Sequence, residues 1–156
     1  MPAPSATPTA SPPRLVIPSL DLDRPVVAVP IRAGSWDLTG LDDNVGWLET
    51  TGQKPGDVLA MALVGHITLT AVRRGPFADL WKLPVGAEII YRQGGTDYVY
   101  GVKYKVSASP DEAWRLYVHD GQTLLLVTCS EWDYATFSYA KRLIVVARAS
   151  GQSAAP

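Results

Sequence analysis

Glu88-Ile-Ile-Tyr-Arg-Gln-Gly-Gly-Thr-Asp-Tyr-Val-Tyr-Gly-Val-Lys-Tyr-Lys-Val106 is the stretch from which the fold is read. Glu88 to Arg92 is a short run of β-formers that leads into Gln93-Gly94-Gly95, a turn signal. Asp97 to Val106 then alternates, with Tyr98, Tyr100, Val102, Tyr104 and Val106 expected on one face. The pair reads as a β-hairpin. The same texture continues on both sides. Arg14 to Pro18 and Pro25 to Val29 read as strands, as do Thr123 to Cys129 and Arg142 to Ala147. Asp57 to Val64 is almost continuously apolar and reads as a strand buried on both faces. Two short helical stretches are expected, Gly75 to Trp81 and Ser109 to Tyr117, the second with Ser109 as N-cap and Pro110 at N1. Seven or eight short strands with so little helix imply an all-β chain that closes, or nearly closes, into a barrel.

The flanks read differently. Residues 1–13, MPAPSATPTASPP, hold almost nothing that can be buried and are expected to form a disordered, extended stalk. The folded unit is expected over 14–149, with 150–156 a flexible tail. The chain has 156 residues, enough for one sizeable core, and its 47% apolar and 19% charged residues are an ordinary globular balance. A formal net charge of -1 gives no global field for nucleic acid or an anionic membrane. No run of about 18 apolar residues is present, and Met1 is followed by no basic or apolar leader. Either the protein is cytoplasmic or an anchoring segment lies outside this sequence.

One cysteine excludes an internal disulfide and a multi-cysteine zinc site; two histidines without metal-type spacing give no reason to expect a metal or any other cofactor. Cys129 ends an apolar strand and is followed by the polar run Ser130-Glu131-Trp132-Asp133. A nucleophile needs a rigid support and an open front, which a strand end supplies. A lone cysteine is equally what a small buried hydrophobe looks like. His66 ends the other long apolar strand, after Val64-Gly65, and imidazole is the usual partner for a reactive thiol. His119, in a surface turn, is the weaker partner. Arg142 begins the last strand 13 residues after Cys129; across a loop between adjacent strands it would lie beside the cysteine, where a guanidinium can donate to an oxyanion. Arginine at a strand start is also a common solvated residue.

Taken together these segments resemble the sortase family. Leu125-Leu-Val-Thr-Cys129 is similar to its T-L-x-T-C signature, with Leu125 in place of the leading threonine. Val64-Gly65-His66 is similar to its apolar-Gly-His strand end, and Arg142-Leu-Ile-Val-Val146 to its arginine-led closing strand. Leu15-Val-Ile-Pro-Ser-Leu20, Trp47-Leu48 and Gly75-Pro-Phe-Ala-Asp-Leu80 fit its intervening segments, in order, over about residues 14–148. The resemblance implies an eight-stranded sortase-like β-barrel. It implies a cysteine transpeptidase that cuts an LPxTG-like sorting signal between Thr and Gly through a Cys129 thioester, His66 acting as acid and base and Arg142 on the oxyanion. Its partners would be the sorting-signal peptide of a secreted protein and an amine from a cell-wall precursor or another protein. Its place would be the outer face of the membrane of a Gram-positive bacterium.

Thr128, Trp114, Leu116, Tyr117 and Trp132 are candidates for substrate binding. No Asp-Pro-aromatic lid motif precedes the barrel, which suggests a housekeeping-like or less-studied class instead of the pilus-building one. Asp42-Asp43 and Asp111-Glu112 are acidic pairs, not expected to hold calcium. Two other readings stand beside this one: a cysteine hydrolase with the same dyad, and a non-catalytic barrel that serves as a binding module.

Overall fold

The computed structural model describes residues 11–70, 72–109, 111–133 and 138–155, and side chains at all of these except 129–133 and 138–141. The first ten residues of the expected stalk, and the side chain of Trp132, lie outside the described residues. Ten strands are described: β1 (Arg14–Ile17), β2 (Leu22–Val29), β3 (Ile31–Arg32), β4 (Ser35–Trp36), β5 (Val45–Leu48), β6 (Met61–Val64), β7 (Glu88–Gln93), β8 (Thr96–Ala108), β9 (Thr123–Asp133) and β10 (Ser138–Ala154). Eight of them close a barrel in the order β1-β2-β5-β6-β9-β10-β8-β7, and β3 and β4 form a separate hairpin. The all-β eight-stranded barrel expected from the sequence is therefore present.

Two pairs in the barrel are parallel, β2 with β5 and β6 with β9. Alternation along each strand builds two cores. Leu15, Ile17, Met61, Leu63, Ile89, Tyr91, Tyr100, Leu124, Leu126 and Val145 fill the barrel interior. Ala62, Val64, Leu125, Val127, Ile144 and Val146 form a second cluster on the outer face, closed over by Leu41 and Leu116 with Trp36 and Leu38 packed against it. A strand buried on both faces reads as a continuous apolar run, which explains Met61–Val64 and Leu124–Val127.

Several expectations change. The strand expected from Asp57 begins only at Met61. The Asp57 carboxylate accepts the Gln53 and Val58 N–H groups, a local alternative to the ladder. β5 was not foreseen. It contains Gly46, where a Cβ would sit 2.4 Å from the Val29 side chain. The single face expected along β8 does not persist. Where β8 passes Lys103 the register with β10 shifts between Val146 and Ala147. Such a bulge reverses the sides, so Tyr98, Tyr100 and Val102 belong with the interior while Val106 and Ala108 belong with the outer cluster.

Both expected helices are replaced by short 3-10 turns, Leu80–Lys82 and Ala113–Tyr117. Glu112, not Ser109, stands at the N-cap of the second turn; the Ser109 N–H donates to Glu112 Oε1 at 2.9 Å and its carbonyl accepts the Glu112 N–H at 2.9 Å, closing a tight turn. The segment expected to be a flexible tail is, as far as Ala154, part of β10. Gly151 to Ala154 pair with Val99 to Thr96 and satisfy backbone groups that β8 would otherwise leave open. Among the described residues no helix is long and apolar enough to cross a membrane.

The β7–β8 hairpin is pinned by Arg92, whose Nε and Nη2 meet Asp97 Oδ1 and Oδ2 at 2.7 and 3.1 Å. The arginine hydrogen bond holds the Asp97 carboxyl below its ordinary value, against the opposing effect of burial. A lowered folded-state value contributes stability above the unfolded carboxylate pKa of about 4 and loses it as pH falls through the folded value. Asp97→Asn should therefore lower the denaturant midpoint at pH 7, by the equivalent of about 1 kcal/mol. The gap to the parent should close in acid below pH 4, read from parallel urea titrations.

Candidate active site

The outer face of β6, β9 and β10 carries a groove of about 440 Å³. Its floor is Val64, Val127, Thr128 and Ile144; the β3–β4 hairpin supplies Ser35 and Trp36 on one wall, and the connection after β8 supplies Ser109, Glu112 and Leu116 on the other. The hairpin turns through Ala33 and Gly34, both at positive φ, the two-residue turn whose twist suits a hairpin. Trp36 is fixed by its indole N–H on the Glu49 carbonyl at 2.9 Å.

Strand register sets the candidate residues. In the parallel pair, Val64 faces Val127. His66 and Cys129 each lie two residues further on. In the antiparallel pair, Cys129 is the direct partner of Arg142. The backbones of all three residues therefore meet at one end of the barrel, and His66 and Arg142 both line the groove. The side chain of Cys129 lies outside the described residues. His119 lies before β9 begins, its carbonyl accepting the Ala60 N–H, and it does not line the groove.

His66 is placed by its backbone. The Gly65 N–H reaches the Val127 carbonyl at 3.3 Å, extending the ladder by one bond. The chain then loops out and returns, so that Phe77 N–H donates to the His66 carbonyl at 3.1 Å and Gly75 N–H to the Ile67 carbonyl at 2.6 Å. Gly75 must be glycine here: a Cβ would lie 2.0 Å from the His66 carbonyl oxygen. At Gly65 a Cβ would lie 2.8 Å from the ring of Phe77, which is 1% exposed.

The ionisable residues among the described groove lining are His66, Glu112 and Arg142. Glu112 is held below the ordinary carboxylate range, first by the Ser109 N–H and then by Arg115. It stays charged at neutral pH, so the groove carries a fixed anion as well as the guanidinium. The other expected binding residues divide. Leu116 is buried and lines the groove. Thr128 lines it too, but is 2% exposed with its hydroxyl on the Gly65 carbonyl at 2.8 Å. Trp114 is exposed, with the Arg115 guanidinium 4.9 Å from its ring centre, and is not part of the lining. Tyr117 is also outside it, its hydroxyl 2.6 Å from that of Thr50. Trp36, Leu38 and Glu112 went unread as site residues. The Ala-Gly turn ahead of Ser35-Trp36 is the signal that could have found the hairpin. Nothing in the sequence says that it folds over the outer sheet face.

A family model described as the Sortase domain matches residues 15–150. The chain belongs to the sortase family. Solved structures share its barrel. Sortase C-3 from Streptococcus pneumoniae superposes with a TM-score of 0.74 at 24% identity, over 96% of this chain and 67% of that one. Sortase C-1 from Actinomyces oris gives 0.75 at 23% identity, over 93% and 76%. The complex of Streptococcus agalactiae sortase C1 and MTSET gives 0.72 at 26% identity, over 89% and 67%. No curated protein matches the sequence. All three structures are of sortase C, whereas the sequence suggests a housekeeping-like or less-studied class; at these identities the likeness carries the fold and not the class.

The packing around Gly65 gives this sortase a measurable weakness. Gly65→Ala drives a methyl into the Phe77 ring and should cost about 1–3 kcal/mol, the usual penalty for overpacking. The denaturant midpoint should fall accordingly, and a midpoint equal to the parent's would show that Phe77 yields without cost.

Proposed function

We propose that this sortase domain is a cysteine transpeptidase acting on an LPxTG-like sorting signal. The observation that carries the reading is the strand register, in which Cys129 is the cross-strand partner of Arg142 and the β6–β9 pairing brings the His66 segment alongside. The Cys129 thiolate attacks the Thr carbonyl of the signal. Arg142 donates hydrogen bonds to the oxyanion as it forms. His66, protonated, gives its proton to the departing glycine amine, leaving a thioester on Cys129. An incoming amine then loses its proton to His66 and takes the acyl group, and the thiolate leaves. Thiolate suits both halves because it is a good nucleophile and a good leaving group.

The groove favours this use. Its apolar floor and the walls formed by Trp36 and Leu116 provide a surface that can shield a thioester from water. Members of the family act generally on sorting-signal substrates, which supports reading this chain's work as lying on the outside of the cell membrane. The amine would come from a cell-wall precursor or from a second protein. The hydrolase alternative uses the same dyad with water as acceptor, and acceptor choice separates the two.

Turnover of an LPxTG-type peptide with a glycine-based amine, followed by chromatography of both products, tests the reading. Cys129→Ala should abolish turnover with an unchanged circular dichroism spectrum; turnover that persists refutes the assignment. Arg142→Lys should lose about 10²–10³-fold in kcat, since an ammonium does not reproduce the planar donor fork. A lysine variant as fast as the parent would reduce Arg142 to a simple charge.

A further inference from the structure

The residue before Cys129 makes a bond that the reaction scheme does not use. The β6–β9 ladder pairs Met61 with Leu124 through Val64 with Val127. It is continued by one long bond, Gly65 N–H to the Val127 carbonyl at 3.3 Å. The next backbone acceptor, the Gly65 carbonyl, takes a shorter bond from a side chain: Thr128 Oγ1 donates to it at 2.8 Å. Thr128 is 2% exposed. A hydroxyl that deeply buried is costly unless it is bonded. Valine would fill the same volume in a strand without that requirement.

Gly65 has special need of such an anchor. The Phe77 ring occupies the space where a side chain would be, so the residue before His66 has no side-chain packing of its own. On the far side, the Phe77 N–H holds the His66 carbonyl at 3.1 Å and Gly75 packs against it. Two successive carbonyls, those of Gly65 and His66, are thus held from opposite sides, one by Thr128 and one by the returning loop.

We infer that Thr128 is a positioning residue: its hydroxyl ties the part of β9 that carries Cys129 to the segment after β6 that carries His66, and so sets the imidazole in the groove. Its catalytic consequence rests on the reading of His66 as acid and base; the structural statement does not. Thr128→Val removes the donor and keeps the shape. Thr128→Ser keeps the donor.

The test uses long-range proton–nitrogen spectra of the imidazole groups, in which His119, away from the groove, is the internal control. In Thr128→Val the His66 signals should shift or broaden while those of His119 stay in place. Thr128→Ser should restore the parent spectrum. In the peptide assay, Thr128→Val should lose about 10²-fold in kcat with little change in KM, the scale expected for a misplaced catalytic group, and Thr128→Ser should recover most of it. His66 signals that superpose on the parent's in the valine variant overturn the inference, as does a raised KM with unchanged spectra, which would make Thr128 a substrate contact. If Thr128→Val does not fold, Thr128→Ala against Thr128→Ser is read the same way. His66→Ala and Cys129→Ala variants that keep turnover would refute the proposed chemistry, while the spectra would still decide whether Thr128 positions His66.

Discussion

The parallel pairing of Met61–Val64 with Leu124–Val127 is the constraint on which the rest of this molecule depends. All eight residues are buried. Met61, Leu63, Leu124 and Leu126 turn to the barrel interior, while Ala62, Val64, Leu125 and Val127 turn to the outer cluster. A slip of one residue would exchange the two sets. It would press Met61- and Leu63-sized side chains into the outer positions that Ala62 and Val64 fill and leave voids in the interior, both of which destabilise. The register is therefore fixed by packing on both faces. The residues just past the last pair of this ladder are fixed with it, Gly65-His66 after β6 and Thr128-Cys129 within β9.

The outer cluster explains why a groove exists at all. A barrel of this size fills its interior with side chains, leaving no room inside for a peptide. A second apolar face, covered only in part by the β3–β4 hairpin and the connection after β8, leaves an open trough over the end of β6 and the adjoining stretches of β9 and β10. The bulge in β8 contributes. By reversing sides past Lys103 it turns Val106 and Ala108 toward that outer cluster, where Ala108 pairs with Arg142. The same interruption of regular pairing that spoils a simple alternation builds the groove wall.

Much of this was legible from the chain. Period-two patterns and Gly-Gly found the β7–β8 hairpin, and long apolar runs found β6 and β9, because both signals are local. The position of His66 just past β6 follows from where an apolar run stops, whereas Cys129 and Arg142, expected at the end of one strand and the start of the next, pair inside β9 and β10, which run on to Asp133 and start at Ser138. What escaped depends on tertiary context. β5 is only Val-Gly-Trp-Leu, and Gly46 makes sense only beside Val29 and Leu41. The β8 face reversal is set by pairing with β10. Trp114 and Tyr117 have the character of groove residues, but their 3-10 turn points them elsewhere, Trp114 to Arg115 and Tyr117 to Thr50. Gly151 to Ala154 have a weak strand composition and are carried into β10 by the open edge of β8.

The central claim is that Cys129 carries the acyl group. The direct measurement is the intact mass of the protein after incubation with an LPxTG-type peptide, before and after addition of a glycine-based amine. The account predicts an added mass equal to the acyl fragment, localised to Cys129, which disappears when the amine is supplied and reappears as the joined peptide. No added mass, with Cys129 also resistant to a small alkylating agent in the folded protein, would contradict it and make the barrel an inert binding module.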